Sequence, residues 1–136
     1  NVIAETESLE AKKVKRLIMC SGRVYYDLIE KRRKDNNEHT AIVRIEQLYP
    51  FPAEELKNAI AEYENLEKVI WCQEEPKNQG AWFFVEPYLE WVLNQIEANT
   101  KRAAYVGRPA SAATATGLMS KHLAQLQAFL DDAFAE

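Results

Sequence analysis

Four short apolar runs recur along the chain, each too short for a helix and too continuously apolar for a half-exposed strand. They span Val14 to Cys20, Ala41 to Ile45, Lys68 to Cys72 and Ala103 to Val106, and they begin about 26 to 35 residues apart. Such runs are typical of strands covered on both faces, and the spacing is the length of a β-α-β unit with a right-handed crossover. The pattern therefore predicts a parallel sheet between two layers of helices.

Stretches with the apolar spacing of helices separate and follow these runs. The four stripes consist of Val24, Tyr25, Leu28 and Ile29; Leu56, Ala59, Ile60 and Tyr63; Leu89, Val92 and Ile96; and Met119, Leu123, Leu126, Leu130 and Ala133. Pro87 leaves two interpretations of the third helix. Either the helix starts at Gly80 and kinks at Pro87, which we favour, or an irregular turn precedes a helix whose first residue is Pro87. Strand and helix alternate four times, so the predicted fold class is α/β.

Composition limits the class of protein further. A chain of 136 residues that is 47% apolar can bury a core without disulfides or metals. The net charge of −4 argues against a nucleic-acid binder, and no apolar run approaches the ~20 residues that span a bilayer. Cys20 and Cys72 lie inside apolar runs, which favours buried, reduced thiols and a reducing compartment such as the cytosol. The first residue is Asn, so we expect a piece of a longer protein or a processed start.

Candidate site residues follow the predicted strands, because ligands of open parallel sheets bind beyond the carboxyl ends of the strands. The candidates for an interface or a strand-exit loop are Ser21, Arg23, Glu74, Glu75, Asn78, Gln79, Trp82, Arg108 and Ser111. The turn at residues 20–23 could hold an anion, but it lacks a full dinucleotide glycine pattern and a P-loop lysine, which favours a simple tight turn.

The other candidates have two interpretations each. The adjacent carboxylates Glu74 and Glu75 could serve acid/base chemistry or a metal, or one of them could bridge to a neighbouring loop or subunit, which we favour. Trp82, with Phe83 beside it, is typical of an anchor for packing or for an interface. Arg108 could meet a phosphate or carboxylate, or pair with one of the two glutamates.

No catalytic set emerges from these residues. Ser111 has no evident base, because His39 precedes the second strand at the opposite end of the sheet and His122 lies in the last helix. Two histidines and two buried cysteines show no zinc-ligand spacing. The sequence therefore predicts no catalytic, cofactor-binding or metal-binding residue, and indicates either an assembly part of a larger enzyme or a stand-alone or regulatory binding module for a nucleotide or acyl cofactor.

Four segments at strand exits resemble the C-terminal domain of the E1 component of 2-oxoglutarate dehydrogenases. They are residues 20–28 (CSGRVYYDL), 42–52 (IVRIEQLYPFP), 71–82 (WCQEEPKNQGAW) and 105–112 (YVGRPASA). The resemblance covers the chain from about residue 15 to residue 136. It implies a linker over residues 1–13 with a possible edge strand at Val2 and Ile3, followed by a transketolase C-terminal-like domain over residues 14–136.

The resemblance also implies an architecture and a set of partners. The fold would have three α/β/α layers and about five mostly parallel strands, with the short antiparallel N-terminal strand at the edge, next to the 41-to-45 strand, then the 14-to-20, 68-to-72 and 103-to-106 strands. The parent enzyme would decarboxylate 2-oxoglutarate, or 2-oxoadipate in a relative, on thiamine diphosphate and Mg²⁺ held by domains absent here. It would form a homodimer and act with E2 succinyltransferase and E3, in the bacterial cytoplasm or the mitochondrial matrix, without binding nucleic acid or membrane.

Overall fold

A five-stranded sheet between two helical layers forms the structure, a computed structural model that describes residues 1–108 and 119–135. The elements in chain order are β1 (Val2–Ile3), a 3-10 turn (Ala11–Lys13), β2 (Arg16–Cys20), α1 (Val24–Lys34), β3 (Thr40–Ile45), α2 (Ala53–Ile60), β4 (Lys68–Pro76), α3 (Trp82–Gln95), β5 (Ala104–Arg108) and α4 (Met119–Phe134). All four predicted strands and all four predicted helices are present. None of the described helices is long and apolar enough to cross a membrane.

The strands lie in the order β1-β3-β2-β4-β5. β1 runs antiparallel to β3, and the other neighbouring pairs are parallel. In the central register, Leu17 of β2 lies opposite Ala41 of β3 and Val69 of β4. This arrangement confirms the mostly parallel α/β fold, its antiparallel N-terminal edge strand and the order that the resemblance implied.

Successive strand residues point to opposite faces of the sheet, and each face has its own core. Leu17 and Met19 of β2 belong to the cluster that includes residues of α2 and α3. Ile18 and Cys20 belong to the cluster that includes residues of α1 and α4. Because both faces are covered by helices, the central strands are apolar at nearly every position, which is why they appear in the sequence as continuous runs.

The strand β4 is longer than predicted. It continues through Pro76, four residues beyond Cys72, whereas the sequence predicts a loop from Gln73 onward. Gln73 pairs with Gly107 of β5, and an irregularity in register follows before Pro76 pairs with Arg108. The polar sequence concealed this extension, because it is held by pairing with β5 and not by apolar burial on both faces.

Two details of the helices differ from expectation. The third helix begins at Trp82 and contains Pro87, so a helix whose first residue is Pro87 is wrong, and so is a start at Gly80. Pro87 lacks an amide proton but lies on an exposed side of the helix, where water can satisfy the carbonyl it leaves without a donor. In α4, Leu130 and Ala133 are buried as the stripe predicted, but Leu123 is 54% exposed. The side chains of Met119 and His122 lie outside the described residues.

The N-terminal segment is tied to the domain by a buried ion pair. Both carboxylate oxygens of Glu5 accept hydrogen bonds from the guanidinium of Arg32, one of them at 2.7 Å. Glu5 Oε1 also accepts from the backbone N–H of Ile42 at 2.8 Å, and Arg32 donates to the carbonyl of Thr40 at 3.0 Å. The side chains of Glu5 and Arg32 are 5% and 1% exposed. The segment before the second strand is therefore fixed against β3 and α1, while the division at residue 13 stays a prediction.

Candidate functional site

The first strand-exit turn follows β2. Ser21 is half-buried, and Gly22 has a φ of +79°, which glycine adopts without strain. Arg23 is exposed at the start of α1. The amides of Tyr25 and Tyr26 donate to the carbonyls of Gly22 and Arg23 at 3.3 and 3.1 Å, so two of the amide donors at this helix start are used within the turn.

A carboxyl group of α1 lies in the electrostatic field of this edge. Burial raises the pKa of Asp27 above its usual range, and the carboxylates of Glu74 and Glu30 raise it further, while Arg23 opposes the shift. Glu74, which follows Gln73 in β4, therefore acts on α1. Asp27 has no signal in the sequence, because a single acid on a helix surface has no distinctive pattern.

Arg44, near the end of β3, lies beside two tyrosine rings of α1. Its guanidinium carbon is 5.3 Å from the ring centroid of Tyr25 and 5.2 Å from that of Tyr26. Arg44 also donates to the hydroxyl of Tyr26 at 3.1 Å and pairs with Glu46 at 3.2 Å. Stacking and ion pairing together hold this cation at the edge of the sheet.

Gln73 is the main polar connection at the carboxyl end of β4, and only 2% of it is exposed. Its Oε1 accepts from the indole N–H of Trp71 at 2.9 Å and from the backbone N–H of Trp82 at 3.1 Å. Its Nε2 donates to the carbonyls of Glu75 and Pro76 at 3.1 and 3.0 Å. One amide side chain thus joins the strand to the first residue of α3.

Two glycines make room for this arrangement. A Cβ on Gly80 would lie 2.5 Å from Nε2 of Gln73, and a Cβ on Gly107 would lie 2.5 Å from the carbonyl oxygen of Gln73. Neither distance is compatible with an alanine in place. Tyr105 completes the connection, because its hydroxyl donates to the carbonyl of Arg108 and its ring lies 5.7 Å from that of Trp82.

The remaining candidates are spread along this edge. Glu75 and Asn78 are exposed and Gln79 is half-buried. The backbone N–H of Gln79 donates to the Pro76 carbonyl at 2.9 Å. Trp82 is 5% exposed and belongs to the core, in keeping with its interpretation as a packing anchor.

Arg108 is the last residue of β5. Its side chain is buried, with its guanidinium 5.8 Å from the ring of Phe129, and its carbonyl accepts from the amide of Lys77. The expected pairing of Arg108 with Glu74 or Glu75 stays a prediction. Ser111 lies outside the described residues.

The side chains that could hold a metal ion do not cluster in the described part of the chain. Within residues 1–108 and 119–135, no group of three His, Cys, Asp or Glu side chains could hold a metal ion. The polar groups around Gln73 instead bond to one another. Gln73, Asp27 and Arg44 were not selected from the sequence. Of these three residues, only Gln73 has a signal in the sequence, because it is a polar amide directly after the five-residue run Lys68 to Cys72.

Comparison with known proteins identifies the family of this chain. A family model described as 2-oxoglutarate dehydrogenase C-terminal matches residues 1–134. The chain belongs to the 2-oxoglutarate dehydrogenase C-terminal family. Curated relatives from Brucella anthropi, Brucella abortus and Brucella melitensis, each named 2-oxoglutarate dehydrogenase E1 component, are 58% identical over 121 residues. The aligned part is 89% of this chain but 12% of each relative.

This family assignment confirms the resemblance seen in the four strand-exit segments. The match to the 2-oxoglutarate dehydrogenase C-terminal family begins at residue 1 and therefore includes the segment held by Glu5. It supports an E1 domain and not a stand-alone binding module. The chain spans only 12% of the length of the curated relatives.

Proposed function

We propose that this chain is the C-terminal domain of the E1 component of a 2-oxoglutarate dehydrogenase, and that it serves as a scaffold without a reaction centre of its own. The family match over residues 1–134 carries this proposal. The carboxyl edge of the sheet is consistent with a scaffold, because the buried amide of Gln73 bonds to four groups of the same chain.

The complete E1 polypeptide would decarboxylate 2-oxoglutarate and pass the succinyl group to a lipoyl arm of E2, with E3 completing the complex. Thiamine diphosphate and Mg²⁺ would supply the decarboxylation chemistry from domains that precede this one. The E1 chain would form a homodimer that this domain supports. In a bacterium the complex would lie in the cytoplasm, and in a eukaryote in the mitochondrial matrix.

Within that enzyme, the residues of this chain would maintain a rigid surface. The Glu5–Arg32 pair fixes the incoming segment against β3, and Gln73 fixes the start of α3. Buried polar groups that are hydrogen-bonded in this way hold one arrangement of the backbone.

Two measurements test the proposal. Isothermal titration of the isolated chain with thiamine diphosphate and Mg²⁺ should show no heat of binding, with circular dichroism confirming that the chain is folded. The natural full-length polypeptide should decarboxylate 2-oxoglutarate when both cofactors are supplied, with ferricyanide as electron acceptor. Micromolar binding by the folded isolated chain, or turnover by it, would contradict the scaffold role.

The same assay addresses the substrate. We expect the full-length polypeptide to have a higher kcat/KM for 2-oxoglutarate than for 2-oxoadipate, in line with the names of the relatives. A preference for 2-oxoadipate would place the enzyme with the other branch of the family and leave the scaffold role unchanged.

A further inference from the structure

A group of exposed and half-buried aromatic side chains lies on the layer formed by α2 and α3. This aromatic face consists of Tyr49, Phe51, Phe83, Phe84, Tyr88 and Trp91. Tyr49 and Phe83 are 63% and 60% exposed, and Trp91 and Tyr88 are 42% and 41% exposed. Isolated surface apolar residues need no explanation, but a continuous exposed patch marks a contact surface.

Four rings of the aromatic face, those of Tyr49, Phe51, Phe84 and Tyr88, contact one another, and Phe83 directly precedes Phe84 in α3. Tyr49, in the turn after β3, lies 4.2 Å from Phe84 between ring centroids, and Phe84 lies 5.3 Å from Tyr88. Phe51 stacks on Tyr88 at 4.9 Å. Trp91 follows Tyr88 by three residues in α3, so it lies on the same side of the helix. The surface is therefore continuous from the β3–α2 turn along α3.

We propose that the aromatic face is the surface by which this domain packs on the preceding body of its own E1 polypeptide. This inference rests on the function proposed above. Tyr, Trp and Phe are enriched in the buried centres of protein interfaces, where large rigid rings exclude water at a small entropic cost. The occupant is thus a surface of the same chain with apolar groups that complement the rings.

The position of the N-terminus favours the preceding body as the occupant. The amide of Glu46 donates to the carbonyl of Asn1 at 2.8 Å, and Glu46 is three residues before Tyr49. The amide of Val2 donates to Glu55 of α2 at 3.2 Å. Residue 1 therefore lies next to the end of β3 that leads into the turn with Tyr49. The part of the relatives outside the alignment is about 6.5 times as long as this chain, because the 121 aligned residues are 12% of each relative.

The charges near the face argue against a second copy of this domain as the occupant. The helices α2 and α3 carry Glu54, Glu55, Glu86 and Glu90, with Lys57 as their only basic residue. Two copies related by a two-fold axis would bring the same acidic helices together, and like charges across an interface oppose association. A surface with a neutral or basic rim fits better.

The test uses the natural full-length polypeptide and the double variant Phe83→Asp, Trp91→Asp, which places charge on the face without touching the core. Leu123→Asp is the matched control, because Leu123 is 54% exposed on α4 in the opposite layer. We expect limited trypsin digestion to release the C-terminal domain about tenfold faster from the double variant than from the control, a factor that corresponds to about 1.4 kcal/mol of lost contact energy. Sedimentation should give the same assembled mass for both.

Two results would overturn the proposed contact. One is release of the C-terminal domain from the double variant at the rate of the control. The other is an assembled mass of the double variant that falls by half without faster release, which would assign the face to a second copy. A measurement without substitutions covers misfolding of the variant. Hydroxyl-radical labelling of Phe83 and Trp91 in the unsubstituted full-length protein should be about tenfold below the rate expected from their exposure here, and labelling at the full rate refutes the proposal. Neither readout needs catalysis, so a protein that protects the face but does not decarboxylate 2-oxoglutarate contradicts the proposed function alone.

Discussion

Replacing Gln73 with methionine should destabilise the domain severely, although the two side chains have similar size. The amide of Gln73 is 2% exposed and takes part in four hydrogen bonds. Methionine fills the same space but offers neither a strong acceptor nor a donor. The substitution therefore isolates the contribution of the polar connection from that of packing.

The magnitude follows from the groups that lose their partners. The indole N–H of Trp71 and the amide of Trp82 both donate to Gln73 Oε1 and would be left unsatisfied. The Pro76 carbonyl also accepts from the amides of Gln79 and Gly80, so it keeps other donors. An unsatisfied buried donor costs about 1–3 kcal/mol, so the two donors together predict a loss of about 3 kcal/mol or more. That loss lowers the Tm of a domain of this size by about 10 °C.

Urea unfolding followed by tryptophan fluorescence measures the loss directly. Gln47→Met is the matched control, because Gln47 is exposed and its side chain makes one local hydrogen bond, to the carbonyl of Tyr49 at 3.1 Å. The control should change the free energy of unfolding by less than about 0.5 kcal/mol. Equal effects of the two substitutions would refute the assignment of Gln73 as the central polar connection.

A double-mutant cycle with Gly80 tests the same geometry independently. Gly80→Ala should be destabilising alone, because its Cβ would lie 2.5 Å from an amide nitrogen of Gln73 that hydrogen bonds hold in place. In a Gln73→Ala background the obstructing atoms are gone, so the same change should cost almost nothing. Additive effects would show that the Gln73 side chain moves aside easily.

Three further predictions concern buried charges and thiols. Glu5→Ala should lower the free energy of unfolding by about 3 kcal/mol, because it leaves the Arg32 guanidinium buried without its main carboxylate partner; an effect below about 1 kcal/mol in urea unfolding would argue against a structural role for the pair. The raised pKa of Asp27 means that the folded protein holds this proton more tightly than the unfolded chain, so the contribution of Asp27 to the free energy of unfolding is favourable below the usual carboxyl range and is lost as pH rises through the raised pKa. Asp27→Asn should therefore increase the urea midpoint at pH 7, with a gain that shrinks on acidification. A gain that is constant with pH would contradict this explanation. Burial raises the pKa of Cys72 to about 12 and that of Cys20 as well, so neither thiol should react with Ellman's reagent at pH 8 until urea unfolds the domain, and rapid reaction of the native protein would count against their burial.

The sheet could be predicted from the sequence because its central strands are covered on both faces. Runs such as Leu17 to Cys20 contain apolar residues at every position, which is typical of a parallel strand covered on both faces. The helices between them followed from spacing alone. The same reasoning missed the end of β4, because the residues after Gln73 are stabilised by pairing with β5 across an irregular register.

The candidate site was predicted less completely, and the reason is physical. The positions of the apolar runs locate the strand exits, and they therefore predict Glu74, Trp82 and Arg108 as candidate site residues. It could not show that the carboxyl of Glu74 acts on Asp27, since that depends on how close α1 lies to β4. Long-range pairs such as Glu5 with Arg32, 27 residues apart, leave no periodic signal in one sequence.

The polar connection at β4 and the aromatic face on α3 depend on each other. Gln73 accepts a hydrogen bond from the amide of Trp82, the first residue of α3, and Phe83 is the next residue. The side chain that closes the carboxyl edge of the sheet therefore also sets where α3 begins, and the helix in turn sets where Tyr88 and Trp91 emerge. In an α/β enzyme with an open edge, polar groups at this position would bind a ligand. Here the groups around Gln73 orient α3, the helix that carries most of the aromatic face.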